Sequence, residues 1–342
     1  MERVSRGRAL ATGAAALVAV GGGIALMLPH RRGSAQPKVI VQYDWLMSNG
    51  QIGDVVAHER GFFSAEGLDV ELAPGGPNSA TAAPVIAGKA QLGQFSEAAQ
   101  VLLARSSGVP IKLIAVGYRS APFAFYSLPR TPVRTVAEMV GKRVGIQPTG
   151  RYVLDAVLAK NKIDASSMRI TDIGSDLTPL VAGRVDVITS WITNTHALAA
   201  LGPDRIELPM AKTGLPSYGD AYFATDDAIA NDADVLARFL RAVSKGWGWA
   251  HAHPEEAVAT AVRAYPSMDL AVERRTIATV LGLSFDATTA REGWGTFRRE
   301  SIAEQIAVFD TAGQFKDGAP HVDDVVSTKI LELTAADRPK LG

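Results

Sequence analysis

An α/β protein of two compact lobes, each a mainly parallel sheet flanked by helices, is the fold class predicted for this chain, and three observations predict it. The first is length, since 342 residues exceed what one hydrophobic core usually organises. The second is pattern: from Lys38 onward short β-branched runs alternate with helical stretches, as in β-α-β units. The third is a local repeat, in which residues 84–92 align without gaps on 179–187. In each copy a helix stops at glycine and a basic residue leads into a strand.

Strands are expected at 39–43, 68–72, 91–95, 111–116 and 124–128. Helical segments between them stop at Gly61 and at Gly88, and a further one spans 97–107, opened by Ser96 and closed by Gly108 and Pro110. Together these form a first lobe, residues 36–128. Pro129 and Pro132 interrupt regular hydrogen bonding, so a passage between lobes is expected there. Thr135 and Glu138 form a Thr-x-x-Glu capping box for a short helix. Strand 143–147, helix 151–161, strand 169–173, helix 177–182 and strand 185–190 follow. After Tyr222 the pattern is helical, with apolar spacing over 234–252, 255–264, 273–281, 305–309 and 325–333. Residues 129–222 are thus assigned to a second lobe and 223–342 to the first lobe's return and the C-terminal helices.

Composition narrows the function. Lys plus Arg and Asp plus Glu balance at 35 each, which gives no basic field for nucleic acid and favours a small ligand. The absence of cysteine excludes disulfides, thiolate metal sites, thiol nucleophiles and a lipidated N-terminal Cys. Arg3, Arg6 and Arg8 precede an uncharged run from Ala9 to Leu28, then Gly33-Ser34-Ala35, and residues 1–35 read as an export signal. Cleavage is favoured because Gly21-Gly22-Gly23 weaken the run as a helix, and an uncleaved anchor is the alternative. A periplasmic location and a monomeric state are expected.

No phosphate loop, dinucleotide-binding glycine pattern, nucleophile elbow or zincin helix occurs, and no cofactor, metal or catalytic set is assigned. His251 and His253 diverge on a helix and read as a solvated end. Aromatic residues instead collect where strands should end: Trp45, Phe95, Tyr118, Trp191, Tyr218 and Tyr222. Such rings can wall a flat ligand while neighbouring amides, hydroxyls and carboxyls orient it. The candidate ligand-binding residues are Trp45, Asn49, Ser96, Tyr118, Gln147, Thr149, Trp191, Asn194, Tyr218 and Asp220. Asp44 is expected to accept from backbone amides in its turn, and Asn49 to touch ligand. Trp247, Trp249 and Trp294 are expected to pack C-terminal helices on a lobe.

Residues 61–70 (GFFSAEGLDV), Asp44-Trp45 with Asn49 and Gly53, and the stretches 87–93, 141–146 and 179–186 carry a resemblance to a known family. They resemble the solute-binding proteins of ABC importers in the NMT1/THI5-like (nitrate/sulfonate/taurine-like) group. The resemblance implies a periplasmic-binding-protein type II fold, two lobes crossed twice by the chain, and a ligand enclosed by hinge closure. It implies delivery to an ABC permease and its ATPase. Trp45 with Asn49 is similar to the pyrimidine-precursor-binding branch, which implies a planar ligand such as a thiamine pyrimidine precursor or a flavin-like compound. His196 stands where that branch leads one to expect Glu. Anion binding of the sulfonate or nitrate kind would require cations at strand ends, where only Arg119 and Arg151 are placed. A pyrimidine-synthesising enzyme on the same fold and a sensory binding protein are the remaining alternatives.

Overall fold

The computed structural model describes residues 36–76, 79–174 and 176–342, without the side chains of Thr195 and His196. The export-signal segment 1–35 lies outside the described residues. Two five-stranded mixed sheets organise the rest. The strands are β1 (Lys38–Tyr43), β2 (Asp69–Ala73), β3 (Leu92–Glu97), β4 (Ile111–Tyr118), β5 (Phe123–Ser127), β6 (Arg143–Ile146), β7 (Arg169–Asp172), β8 (Val187–Trp191), β9 (Ile206–Pro209) and β10 (Gly219–Thr225). One sheet runs β2-β1-β3-β10-β4 and the other β7-β6-β8-β5-β9, the same order of roles in each lobe.

The first passage between sheets falls at 119–122, ahead of the expected Pro129 to Pro132 segment. Strand β5, assigned from sequence to lobe one, pairs with β8 and β9 in lobe two. The prolines instead shape the turn leaving β5, where Thr131 N–H donates to Leu128 O at 2.9 Å. The return passage lies between β9 and β10, so Tyr222 is inside a lobe-one strand and does not mark the crossing. The sheets are also less parallel than expected. A strand arriving from the other lobe enters its sheet from the opposite end, and β5 and β10 therefore run antiparallel to both neighbours.

The repeat read in the sequence is also a repeat of hydrogen bonds. Gly88 and Gly183 have φ of 67° and 69°, the left-handed conformation that ends each preceding helix. Lys89 and Ala90 N–H both donate to Pro84 O, as Arg184 and Val185 N–H do to Pro179 O. Beyond the joint, the Gln91 side chain accepts from Ile40 N–H at 2.7 Å and the Asp186 side chain from Arg143 N–H at 2.9 Å. Asp186 also takes the Arg143 guanidinium at 3.0 and 2.7 Å, so the charge at this strand's start is paired.

Other local expectations shift. The helix Ala98–Ser106 is capped by Glu97, whose N–H donates to Gln100 Oε1, because the Ser96 hydroxyl is turned to Asp44. Glu138 accepts from Arg134 N–H, and only a 3₁₀ turn, Ala137–Met139, follows Thr135. The expected 325–333 helix splits into Val322–Val325 and Lys329–Leu333. The long helix Ala233–Ala252 presents Leu236, Phe239, Leu240, Val243 and Trp247 to the core at helical spacing. Gly246 lies so close to Gly53 that a methyl there would sit 2.0 Å from Gly53 O. Trp247 and Trp294 are fully buried and stacked at 5.6 Å between these helices and lobe one, as the sequence suggests.

Each passage is tied down at both ends. Arg119 N–H donates to Leu283 O at 2.7 Å, and its guanidinium reaches Thr296 O and Asp286 over the Tyr218 ring. On the lobe-two side Pro122 O accepts from Ile192 N–H. In the return passage Thr213 O accepts from Asn161 of lobe two, and Tyr218 O from Ala98 N–H of lobe one. Across the lobes, Lys160 pairs with Glu304 on the helix Arg299–Thr311, and Phe309 of that helix lies 6.1 Å from the Tyr152 ring.

Candidate functional site

Strand ends from both sheets meet at a cleft. From lobe one comes Glu97, the last residue of β3. From lobe two come Gln147 and Thr149 after β6, Tyr152 on the first turn of the helix Arg151–Lys160, Thr189, Ser190 and Trp191 of β8, and Phe123 of β5. Phe123 and Trp191 are directly paired in the ladder and meet edge to face at 5.8 Å, so the antiparallel entry of β5 puts two rings on one wall. The cavity left between the walls is about 60 Å³.

Glu97 is the carboxylate of this cleft. Burial pushes its carboxyl up to about 7, Asp44 adds to the rise, and the Tyr152 hydroxyl opposes it by donating to Oε2 at 3.0 Å. That hydrogen bond runs from one lobe to the other. Asp44 sits beside it at the end of β1 and accepts from Ser96 N–H at 2.6 Å and from Ser96 Oγ at 2.9 Å. It therefore accepts from a backbone amide as expected, but across to β3 rather than within its own turn. Burial raises its pKa, with the Ser96 bonds opposing.

Behind this wall lies a buried acidic layer. Asp54 accepts from the hydroxyls of Tyr43 and Tyr222, each at 2.7 Å, and burial still pushes it up to about 6. Asp220 is buried at a φ of 46° and raised well above the carboxylate range, first by burial and then by the charges of Asp54 and Asp44. Its Oδ2 and the Tyr118 hydroxyl have no hydrogen-bond partner among the described residues. Among the described residues no cation neutralises the cleft. Arg119 is held at the lobe passage, and Arg151 is paired with Asp155 at 2.8 Å.

Of the residues named from sequence, Gln147, Thr149 and Trp191 line the cleft. Ser96 adjoins Glu97 and is engaged by Asp44. Trp45 is 48% exposed at the end of β1, on the edge that also carries Glu97. Five others are elsewhere. Asn49 is turned into lobe one, where Nδ2 donates to Glu273 O at 2.7 Å and to Thr276 Oγ1 at 2.9 Å and so anchors the helix Leu270–Ser284. Tyr118 and Asp220 are in the buried layer, and Tyr218 accepts from Arg298 N–H beside the lobe passage. Asn194 caps the short helix Thr195–Ala199 through Ala197 N–H. Glu97, Tyr152 and Phe123 were not singled out from sequence. Among the described residues no group of metal-ligating side chains forms, and no helix is long and apolar enough to cross a membrane.

The known proteins that resemble this chain are distant in sequence. A formylaminopyrimidine-binding protein of Halalkalibacterium halodurans is 29% identical over 231 residues, covering 64% of this chain and 68% of that protein. A 4-amino-5-hydroxymethyl-2-methylpyrimidine phosphate synthase of Legionella pneumophila is 25% identical over 248 residues, covering 69% of this chain and 76% of that protein. The family thus includes both binding proteins and enzymes. In structure, the periplasmic aliphatic sulphonate binding protein SsuA of Escherichia coli superposes with a TM-score of 0.63 at 15% identity, over 86% of this chain and 99% of that one. This establishes the periplasmic-binding-protein type II fold. Residues 49–257 match the NMT1/THI5 like family across both lobes, and the chain belongs to that family.

Proposed function

We propose that the chain is the extracytoplasmic solute-binding component of an ABC importer, and that it closes its lobes around a small planar heteroaromatic bearing a hydrogen-bond donor. It delivers that ligand unchanged to a membrane permease and its ATPase. The observation that carries this reading is the chemistry of the cleft wall: Glu97 on one side, Trp191 backed by Phe123 on the other, and no Lys or Arg among the described lining residues. A buried carboxylate accepts from an amine or a protonated ring nitrogen. A sulfonate or nitrate in the same place would meet like charge with no compensating donor cation. The carboxylate that His196 withholds from an aminopyrimidine is supplied by Glu97 in this reading. The aromatic pair suits one ring better than a tricyclic flavin, and the formylaminopyrimidine-binding relative supports the same ligand class.

One observation favours a second reading, an enzyme acting on a pyrimidine. Glu97 titrates near 7, where a general acid or base is most effective, and a synthase is among the relatives. The two separate in one experiment. Mass spectrometry of the small molecules released by denaturing the purified protein is combined with fluorescence titration against 4-aminopyrimidine, riboflavin, taurine and nitrate. A saturable response to the aminopyrimidine, none to the two anions, and recovery of the compound unaltered are expected. Saturable anion binding or a converted product overturns the proposal.

A further inference from the structure

Tyr152 meets Glu97 at the point where a ligand's donor edge would be read. Its hydroxyl crosses from the helix Arg151–Lys160 of lobe two to Glu97 Oε2 at the end of β3 in lobe one. Phe309, on the helix Arg299–Thr311, lies against the ring at 6.1 Å. The space remaining beside the phenol, about 60 Å³, is roughly that of two water molecules, whereas small-molecule sites span about 300–1,000 Å³. Facing Glu97 are Asp44, which adds negative charge, and Tyr152, the one donor among the described residues that reaches its carboxylate from lobe two.

We propose that Tyr152 is a built-in stand-in for the ligand: with the cleft closed and no ligand bound, its phenol hydroxyl holds the Glu97 acceptor that the ligand's donor group takes, and it turns out when that group arrives. This rests on the cleft being the ligand site. The physical logic is substitution at one acceptor. A buried carboxylate without a donor is costly, so the phenol stabilises the closed lobes in place of the ligand. A molecule lacking a donor cannot replace it, and the contact therefore screens ligands as well as closing the cleft. Binding pays for breaking the Tyr152 contact, which lowers the apparent affinity of every true ligand by the same factor.

The test uses the purified full chain, freed of ligand, with Tyr152→Phe and Glu97→Gln. Small-angle scattering reads closure without ligand, and calorimetry reads affinity for 4-aminopyrimidine and for unsubstituted pyrimidine. Tyr152→Phe is expected to enlarge the radius of gyration of the ligand-free protein and to tighten 4-aminopyrimidine about tenfold, the scale of one hydrogen bond to a charged group. Glu97→Gln is expected to weaken the same compound by at least about as much, and unsubstituted pyrimidine should bind wild type and Tyr152→Phe equally poorly. Unchanged scattering, or weaker 4-aminopyrimidine binding by Tyr152→Phe, overturns the proposal by making Tyr152 an ordinary ligand contact. If 4-aminopyrimidine fails to bind any form, the ligand-class reading falls, while the scattering comparison still decides the role of Tyr152.

Discussion

Replacing Glu97 by Gln should stabilise the protein at alkaline pH and leave it nearly unchanged at acid pH. In the fold the carboxyl is raised from 4.5 to about 7, chiefly by burial. Between those values the folded state keeps a proton that the unfolded chain has released, so stability falls as pH rises through that window. At about 1.4 kcal/mol per pH unit the full cost of ionising Glu97 is about 3 kcal/mol, reached above pH 7 and absent below about 4.5. Gln has nearly the same shape, can still accept from Tyr152, and does not titrate. Asp54, Asp220 and Glu273 are raised in the same direction, but they are common to both proteins and cancel in the difference. Urea denaturation of wild type and Glu97→Gln from pH 4.5 to 8 measures that difference. It should open from near zero to about 3 kcal/mol in favour of the variant. A difference independent of pH, or a variant less stable at pH 8, would refute the account of Glu97 as an acid whose burial outweighs its hydrogen bond from Tyr152.

Further outcomes follow from the packing. Trp191→Phe should abolish most of the fluorescence response to ligand, because Trp191 lines the cleft while Trp247 and Trp294 are fully buried; a response of undiminished size would place the reporting indole elsewhere, at Trp45 on the Glu97 edge first. Gly246→Ala should cost about 1–3 kcal/mol, since the added methyl must push the Ala233–Ala252 helix off Gly53, and thermal denaturation reads it directly. Tyr222→Phe removes one of the two donors to Asp54 and should lower stability by about 1.5–3 kcal/mol at pH 8. The loss should shrink toward pH 5 as Asp54 takes up a proton, and a loss unchanged with pH would show the hydroxyl acting independently of that charge.

Much of the fold was legible because the parallel strands are apolar runs between well-marked stops. Gly88 and Gly183 end their helices in both lobes, and the sequence repeat between them proved to be a repeat of main-chain bonding. Strands β9 and β10 were not legible. The first is four residues long with Glu207 inside it, and the second opens Gly219-Asp220, which reads as a turn. Nor does local pattern tell which sheet a strand joins: β5 was found at nearly the right residues and placed in the wrong lobe. The site divided along the same line. Gln147, Thr149 and Trp191 were recognisable as polar or aromatic residues at strand ends. Glu97 looked like the first residue of a helix and Tyr152 like part of an amphipathic one, and only their meeting across the cleft gives them a role. The available signal was Phe95-Ser96, which the repeat pairs with Ser190-Trp191, since an acid follows it directly. Asn49 misled because a polar side chain after a strand can equally face inward to anchor a helix.

The anchoring of the two passages bears on how much order the molecule must gain when it shuts. With Arg119 fixed to lobe one and Pro122 to lobe two, only Ser120 and the buried Ala121 lie between them, and the other passage leaves a short stretch about Gly214, Pro216 and Ser217. Pro216 already has its φ set, and Gly214 occupies a positive φ of 79°. In the proposed function, closure reorients a handful of dihedrals and does not have to order a loop, so its entropic penalty is small. In that same proposal, most of the interaction energy left after the Tyr152 contact is broken is then available as affinity, and the joint between the lobes is only a few residues wide.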